Sequence, residues 1–172
     1  IVTYSNAMVS KVATTTVVLP EKVLEALKEK SESEGKAVEE LIGEALFRQL
    51  NIVDPEAEVE LHLELCEKYL REAEDFLAKG DYAQASEKTW GAASQMVKAV
   101  AARKGLELRS HGGLHKEIVR LTKETGDDEI RSLWQSAISL HQNFYENWLP
   151  PEIVEWNVND VKKLVNKLKG LV

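Results

Sequence analysis

His141 and Tyr145 stand one helical turn apart in the stretch AISLHQNFYENW (Ala137 to Trp148), with Asn143 and Glu146 toward one flank. An imidazole and a phenol on one helix face can donate, accept or stack. At about 100° per residue, Trp134, Ile138, His141, Tyr145 and Trp148 form one stripe. Leu133, Ala137, Leu140 and Phe144 form the next, and together they make the wide apolar face of a buried helix. On that reading the polar tips find partners at the edge of a bundle, because buried imidazoles and phenols are usually satisfied structurally. The other reading is a polar cleft shared with the Ala-rich stretch upstream. That stretch places Glu87, Trp90, Ser94 and Lys98 at helical spacing, and a loop supplies His111. Two histidines, a carboxylate and aromatics converging there would make a ligand or nucleotide site.

Two sharper chemistries compete with this. His111 and His115 lie four residues apart and could hold a metal with His141, but Gly112-Gly113 disfavours helical geometry between them. No Cys or carboxylate completes the set, so neither a metal nor a cofactor is expected. Arg109 and His115 bracket five residues in RSHGGLH. As a ribonuclease the chain would use Arg109 with His111, His115 or His141 for acid–base work.

The elements that must position these residues are legible. Val12 to Pro20, VATTTVVLP, is rich in β-branched residues and predicts a strand, with Thr14, Thr16 and Val18 on one face and Thr15, Val17 and Leu19 on the other. A helix to Gly35 and a second through Leu50 follow. No other convincing strand appears, so this one needs the same strand of a second chain as partner. NIVDPEAE is a linker in which Asp54 suits an N-cap and Pro55 the first helical position. A long helix then runs to about Lys79, and Asp81 with Gln84 starts the next. Its Ala and Gly content lets neighbours approach closely, which predicts a central helix. A shorter helix ends at Gly126, another runs to Pro150-Pro151, and a last one carries Val154, Val158, Val161, Val165 and Leu168 on one stripe.

Bulk properties bound the function. The 172 residues carry 44% hydrophobic and 30% charged side chains and a net charge of −7. That argues against non-specific coating of nucleic acid, which needs excess Lys and Arg. One cysteine, Cys66, excludes an internal disulfide framework. No apolar run of about 18 residues predicts a membrane span, and a cytoplasmic location is expected. Ser5-Asn6-Ala7 directly before Met8 reads as a cloning remnant, which sets residues 1–7 aside.

The segments GDY, ASEK, SHGGL and LHQNFYENWLP occur in the order, and with the intervening residues, that resemble the PaREP family of archaeal proteins, first type, from about Glu56 to Leu171. That family is in turn similar to the HEPN superfamily, helical bundles that usually dimerise. Many are toxin or defence ribonucleases and others bind nucleotides. In the ribonuclease members an Arg-to-His motif lies on the late helix where protomers meet. The matching LHQNFYENW has His141 near the Arg position and no His four to six residues later, so the resemblance implies fold and dimer more than cleavage. Thr14 to Asn51 resembles the ribbon-helix-helix fold, in which paired strands read DNA. The matching outward positions are Thr14, Thr16 and Val18. From Met8 to Ile52 there are six basic and eight acidic residues, short of the basic face that reading needs.

The expectation is therefore an all-α HEPN-like up-and-down bundle of about five helices (residues 54–172), preceded by a strand-helix-helix dimerisation module (residues 8–53). It would be a non-enzymatic homodimer paired through the N-terminal strand. It would bind a nucleotide, nucleic acid or partner protein through Glu87, Trp90, His111, His141, Asn143, Tyr145 and Glu146. The alternatives are a ribonuclease with a non-standard site and a DNA-binding regulator using Thr14 and Thr16.

Overall fold

The computed structural model describes residues 12–172, and the predicted remnant at residues 1–7 lies outside them. Seven helices form among these residues: α1 (Glu21–Glu34), α2 (Val38–Leu50), α3 (Pro55–Ala78), α4 (Tyr82–Arg103), α5 (His111–Thr125), α6 (Asp128–Glu146) and α7 (Pro151–Lys169). Their boundaries follow local chemistry. Asp54 accepts from the Glu56 N–H with Pro55 at the first helical position of α3, Asp81 accepts from Gln84 at the start of α4, and Asp127 from Glu129 at α6. Gly126 closes α5 in the left-handed conformation.

The predicted N-terminal strand does not form. Among the described residues there is no strand, and residues 12–19 have no regular secondary structure. A lone strand leaves its N–H and C=O groups without a ladder, and the described residues offer no second strand to complete one. Thr14 and Thr16 are exposed there, as is Val18 at 94%.

α4 is the central helix, as its small residues imply. It packs on α3, α5, α6 and α7, and 15 of its 22 residues are buried. Gly91 shows why side chains there must be small: a Cβ at that position would sit 3.1 Å from Cδ2 of Tyr69 on α3. The apolar stripes of α6 and α7 close on it through Leu133, Ala137, Leu140, Val154, Val158, Val161 and Val165, each at most 6% exposed. No helix among the described residues is long and apolar enough to cross a membrane.

The α1–α2 pair is attached differently. No residue of α1 is buried, and in α2 only Glu40 and Leu41 are. Its hold on the bundle is mainly polar. Lys98 donates to both carboxylate oxygens of Glu40 at 2.6 and 2.7 Å, and Gln95 adds a third bond at 2.8 Å. His62 Nδ1 in turn meets Gln95 Oε1 at 2.7 Å. Glu39 meets Lys68 at 2.5 Å and the Tyr69 hydroxyl at 3.1 Å.

Candidate functional site

Where the α1–α2 turn overhangs α4 and α6, a cleft of about 470 Å³ opens. Glu87, Trp90, Ser94 and Lys98 enter it from α4, His111 from the start of α5, and His141 and Tyr145 from α6. The spacing on α4 is three, four and four residues, so successive turns aim at the same space. The far wall is the backbone turn from Ser31 to Glu39.

The rings form a continuous cluster. Trp90 and His141 stack with centroids 4.5 Å apart at 24°. His111 stands edge-on to both, at 5.5 Å from Trp90 and 4.9 Å from His141. Tyr145 meets His141 edge-on at 5.5 Å and is 73% exposed, so it forms the lip. Behind Trp90 lies Trp134 at 5.2 Å, whose indole N–H donates to His115 Nδ1 at 3.0 Å. The stripe predicted on α6 is thus real but graded. It is core at Trp134, half-buried at His141 and open at Tyr145 and Trp148.

His111 is placed by two features. Ser110 is the N-cap of α5 and accepts from the Gly113 N–H at 3.1 Å, so His111 is the first helical residue and not, as expected from sequence, part of the loop. Gly112-Gly113 is accommodated within the helix, because the cap supplies what these glycines lack in propensity. Opposite the ring, Gly35 ends α1 with φ +62°, and a Cβ there would lie 2.6 Å from His111 Nε2. Gly35 therefore serves both the helix stop and the close approach of the imidazole.

The cleft favours neutral imidazoles. Burial pushes the His141 pKa down to about 4, helped by neighbouring His111 and His115. His111 is lowered by burial, then by His115 and Lys98. Burial raises the Glu87 pKa, and Lys88 only partly offsets it. Two polar atoms on cleft residues are buried without a hydrogen-bond partner, His141 Nδ1 and Ser94 Oγ.

Other residues singled out from sequence lie elsewhere. Asn143 is fully buried and structural. Its amide donates to Ser86 Oγ at 2.9 Å, and its carbonyl accepts from the backbone N–H groups of Trp148 and Leu149 at 3.0 and 2.8 Å. It clamps the reversal after α6, where Asn147 is left-handed. The flank position read from periodicity misses this, although an Asn in the last turn before Asn147 and Pro150-Pro151 is a cap signal. Glu146 is exposed and accepts from Gln142 at 3.0 Å, outside the cleft. Arg109 is paired with Glu107 at 2.6 Å and lines a different hollow, beside Arg48 and His62. His115 is exposed and engaged by Trp134. The Arg109-to-His115 spacing therefore does not bring an Arg into the His111–His141 cluster. Among the described residues no group of three or more His, Cys, Asp or Glu could hold a metal ion. The Glu40–Lys98–Gln95–His62 chain was not foreseen, because Glu40 and Lys98 lie 58 positions apart.

A crystal structure of a protein from Sulfolobus solfataricus is similar to this chain, with 33% identity and a TM-score of 0.56 over 62% of this chain and 95% of that one. No curated protein matches. The model of the archaeal PaREP1/PaREP8 family matches residues 61–165, a stretch that begins within α3 and takes in Glu87, Trp90, His111, His141 and Tyr145. Matched over more than half its length, the chain belongs to the archaeal PaREP1/PaREP8 family.

Proposed function

We propose that this is a non-enzymatic binding protein, built on a HEPN-like bundle (residues 54–172), whose cleft takes a nucleotide or an unstacked base of a nucleic acid. The observation that carries the reading is a cluster of packed aromatic rings, Trp90 stacked on His141 and ending in the exposed, edge-on Tyr145 ring, combined with two buried polar atoms that lack partners. Flat heterocycles stack on such rings irrespective of their identity. Buried polar atoms without partners are costly and are expected to find them in a ligand or ordered water. Cleavage with His141 as the acid or base is disfavoured, since burial pushes its pKa down to about 4 and acid–base work near neutrality wants a pKa near the working pH.

The test is titration of the full chain with nucleosides, nucleotides and short RNAs, following His141 by NMR and tryptophan fluorescence in wild type and Trp90→Phe. Saturable shifts at His141, with quenching that depends on Trp90, are the expected result. Signals that stay unmoved across all these ligands defeat the proposal.

The same proposal includes a homodimer joined through the N-terminal segment (residues 8–53). Its support is that Val17 and Val18, and Val23 and Leu24 of the following α1, are each at least 39% exposed, and that α1 has no buried residue. A second copy is the partner that would cover them. Light scattering should give twice the monomer mass, and a monomer at all concentrations would refute it.

A further inference from the structure

The cations lining the cleft are already engaged. Lys98 gives its charge to Glu40, Lys36 to Glu44 at 2.6 Å and Lys88 to Glu72 at 2.8 Å. The start of α2 also faces the cleft and has no side-chain cap from Ala37, but its first turn carries Glu39 and Glu40. Glu39 closes on its own backbone N–H. Gly112 and Gly113 of α5 do not line the cleft. A phosphate would find neither a free guanidinium or ammonium nor an open nest of N–H groups, the two devices by which proteins hold it.

One unengaged group of the lining is a carboxylate. Glu87 makes no hydrogen bond or ion pair, and Lys88 acts on it only at longer range. His141 Nδ1 and Ser94 Oγ lack partners. A carboxylate only accepts, and a neutral imidazole nitrogen and a hydroxyl can also accept. What complements them is a donor on a flat ring.

Building on the nucleotide-binding reading above, we propose that this cleft recognises the base and not the phosphate. Its ligand is a planar heterocycle bearing an exocyclic amino group, which donates to Glu87 while the ring stacks on the exposed Tyr145 ring and any phosphate stays in solvent. The base could come from a free nucleoside or from a nucleic-acid strand, since both present the same edge.

Calorimetry on the full chain separates these ideas. Adenosine should bind within about threefold of AMP and ATP, and inorganic phosphate should not compete. Purine riboside, which lacks the amino group and any ring N–H, should bind about tenfold more weakly, the worth of one hydrogen bond to a charged acceptor. Glu87→Met should erase that difference without altering purine riboside binding. A hexa-adenylate that binds with the same Glu87 dependence, where adenosine alone is weak, also supports the proposal and identifies the strand as the source. AMP or ATP binding more than tenfold tighter than adenosine, or displacement by phosphate, overturns it while leaving the nucleotide-binding reading intact. Equal binding of adenosine and purine riboside likewise overturns it. Absence of binding by every base-bearing ligand defeats both.

Discussion

Lys98→Met tests the attachment of the α1–α2 wall to the bundle. In the native chain Glu40 is 1% exposed, and its carboxylate receives two bonds from Lys98 and one from Gln95. Methionine preserves the volume of the Lys98 stem and removes the charge, so Glu40 is left as a buried anion with one donor. Breaking a buried pair in this way costs about 3–5 kcal/mol, because the remaining charge is uncompensated. The surviving Gln95 bond puts the expected loss at the lower end, about 3 kcal/mol. For a chain of this length that is a fall in Tm of about 6–12 °C. Because α1 contributes no buried residue and α2 only two, the loss should show first as undocking of this pair. α2 amides should then exchange hydrogen sooner than those of α4. Glu40→Gln combined with Lys98→Met removes both charges and should recover at least half of the deficit. Urea denaturation of the two single variants and the double variant gives the coupling directly. A Lys98→Met protein within about 0.5 kcal/mol of wild type, or a double variant no more stable than Lys98→Met alone, refutes the reasoning.

Gly35→Ala should cost about 1–3 kcal/mol, because it forces a side chain into the left-handed region and drives a Cβ onto His111. The His111 ring resonances should shift along with the melting curve. Asn143→Ala should cost about 2–4 kcal/mol by stranding the Trp148 and Leu149 backbone N–H groups and removing one bond to Ser86 Oγ, and denaturation measures it. The pH dependence has a definite sign. The His141 pKa lies at about 4 in the folded chain, below its ordinary 6.5. The unfolded chain therefore takes up the proton first, and stability falls as the pH drops from about 6.5 toward 4. Discounted for its partial exposure, His141 accounts for about 1–2 kcal/mol of that fall. His111 and His62 are lowered by burial in the same direction. His141→Gln should lose less stability than wild type between pH 7 and pH 4 in urea titrations.

The residues that line the cleft were legible to different degrees. Glu87, Trp90, Ser94 and Lys98 share a face because three- and four-residue steps return to one side of a helix, and no tertiary knowledge is needed to see that. The same rule put His141 and Tyr145 together. It does not reach the placement of Asn143 and Glu146, because angular position says nothing about where a helix ends. At the last turn the carbonyls and the following N–H groups compete for polar side chains, and Asn143 is captured there. The Gly112-Gly113 pair makes His111 read as loop, although Ser110 carries the cap signal that starts α5 there. The N-terminal segment shows the opposite limit. Val12 to Pro20 has strand composition, yet β-propensity has no effect without a partner to complete the ladder.

By itself the sequence determined the seven helices and most of their stops, through periodicity, caps and glycines, because those forces act within a few residues. It also determined that α4 is central, since only small side chains admit close neighbours on several sides. Tertiary structure alone decided which polar groups meet. Glu40 reaches Lys98 across 58 positions and Asn143 reaches Ser86 across 57, and the Gly35 turn is laid against His111. Such pairings depend on how whole helices cross and on what burial leaves unsolvated. These terms arise only once the chain is packed, and they leave Glu87, Ser94 and His141 as the unpartnered groups of the cleft.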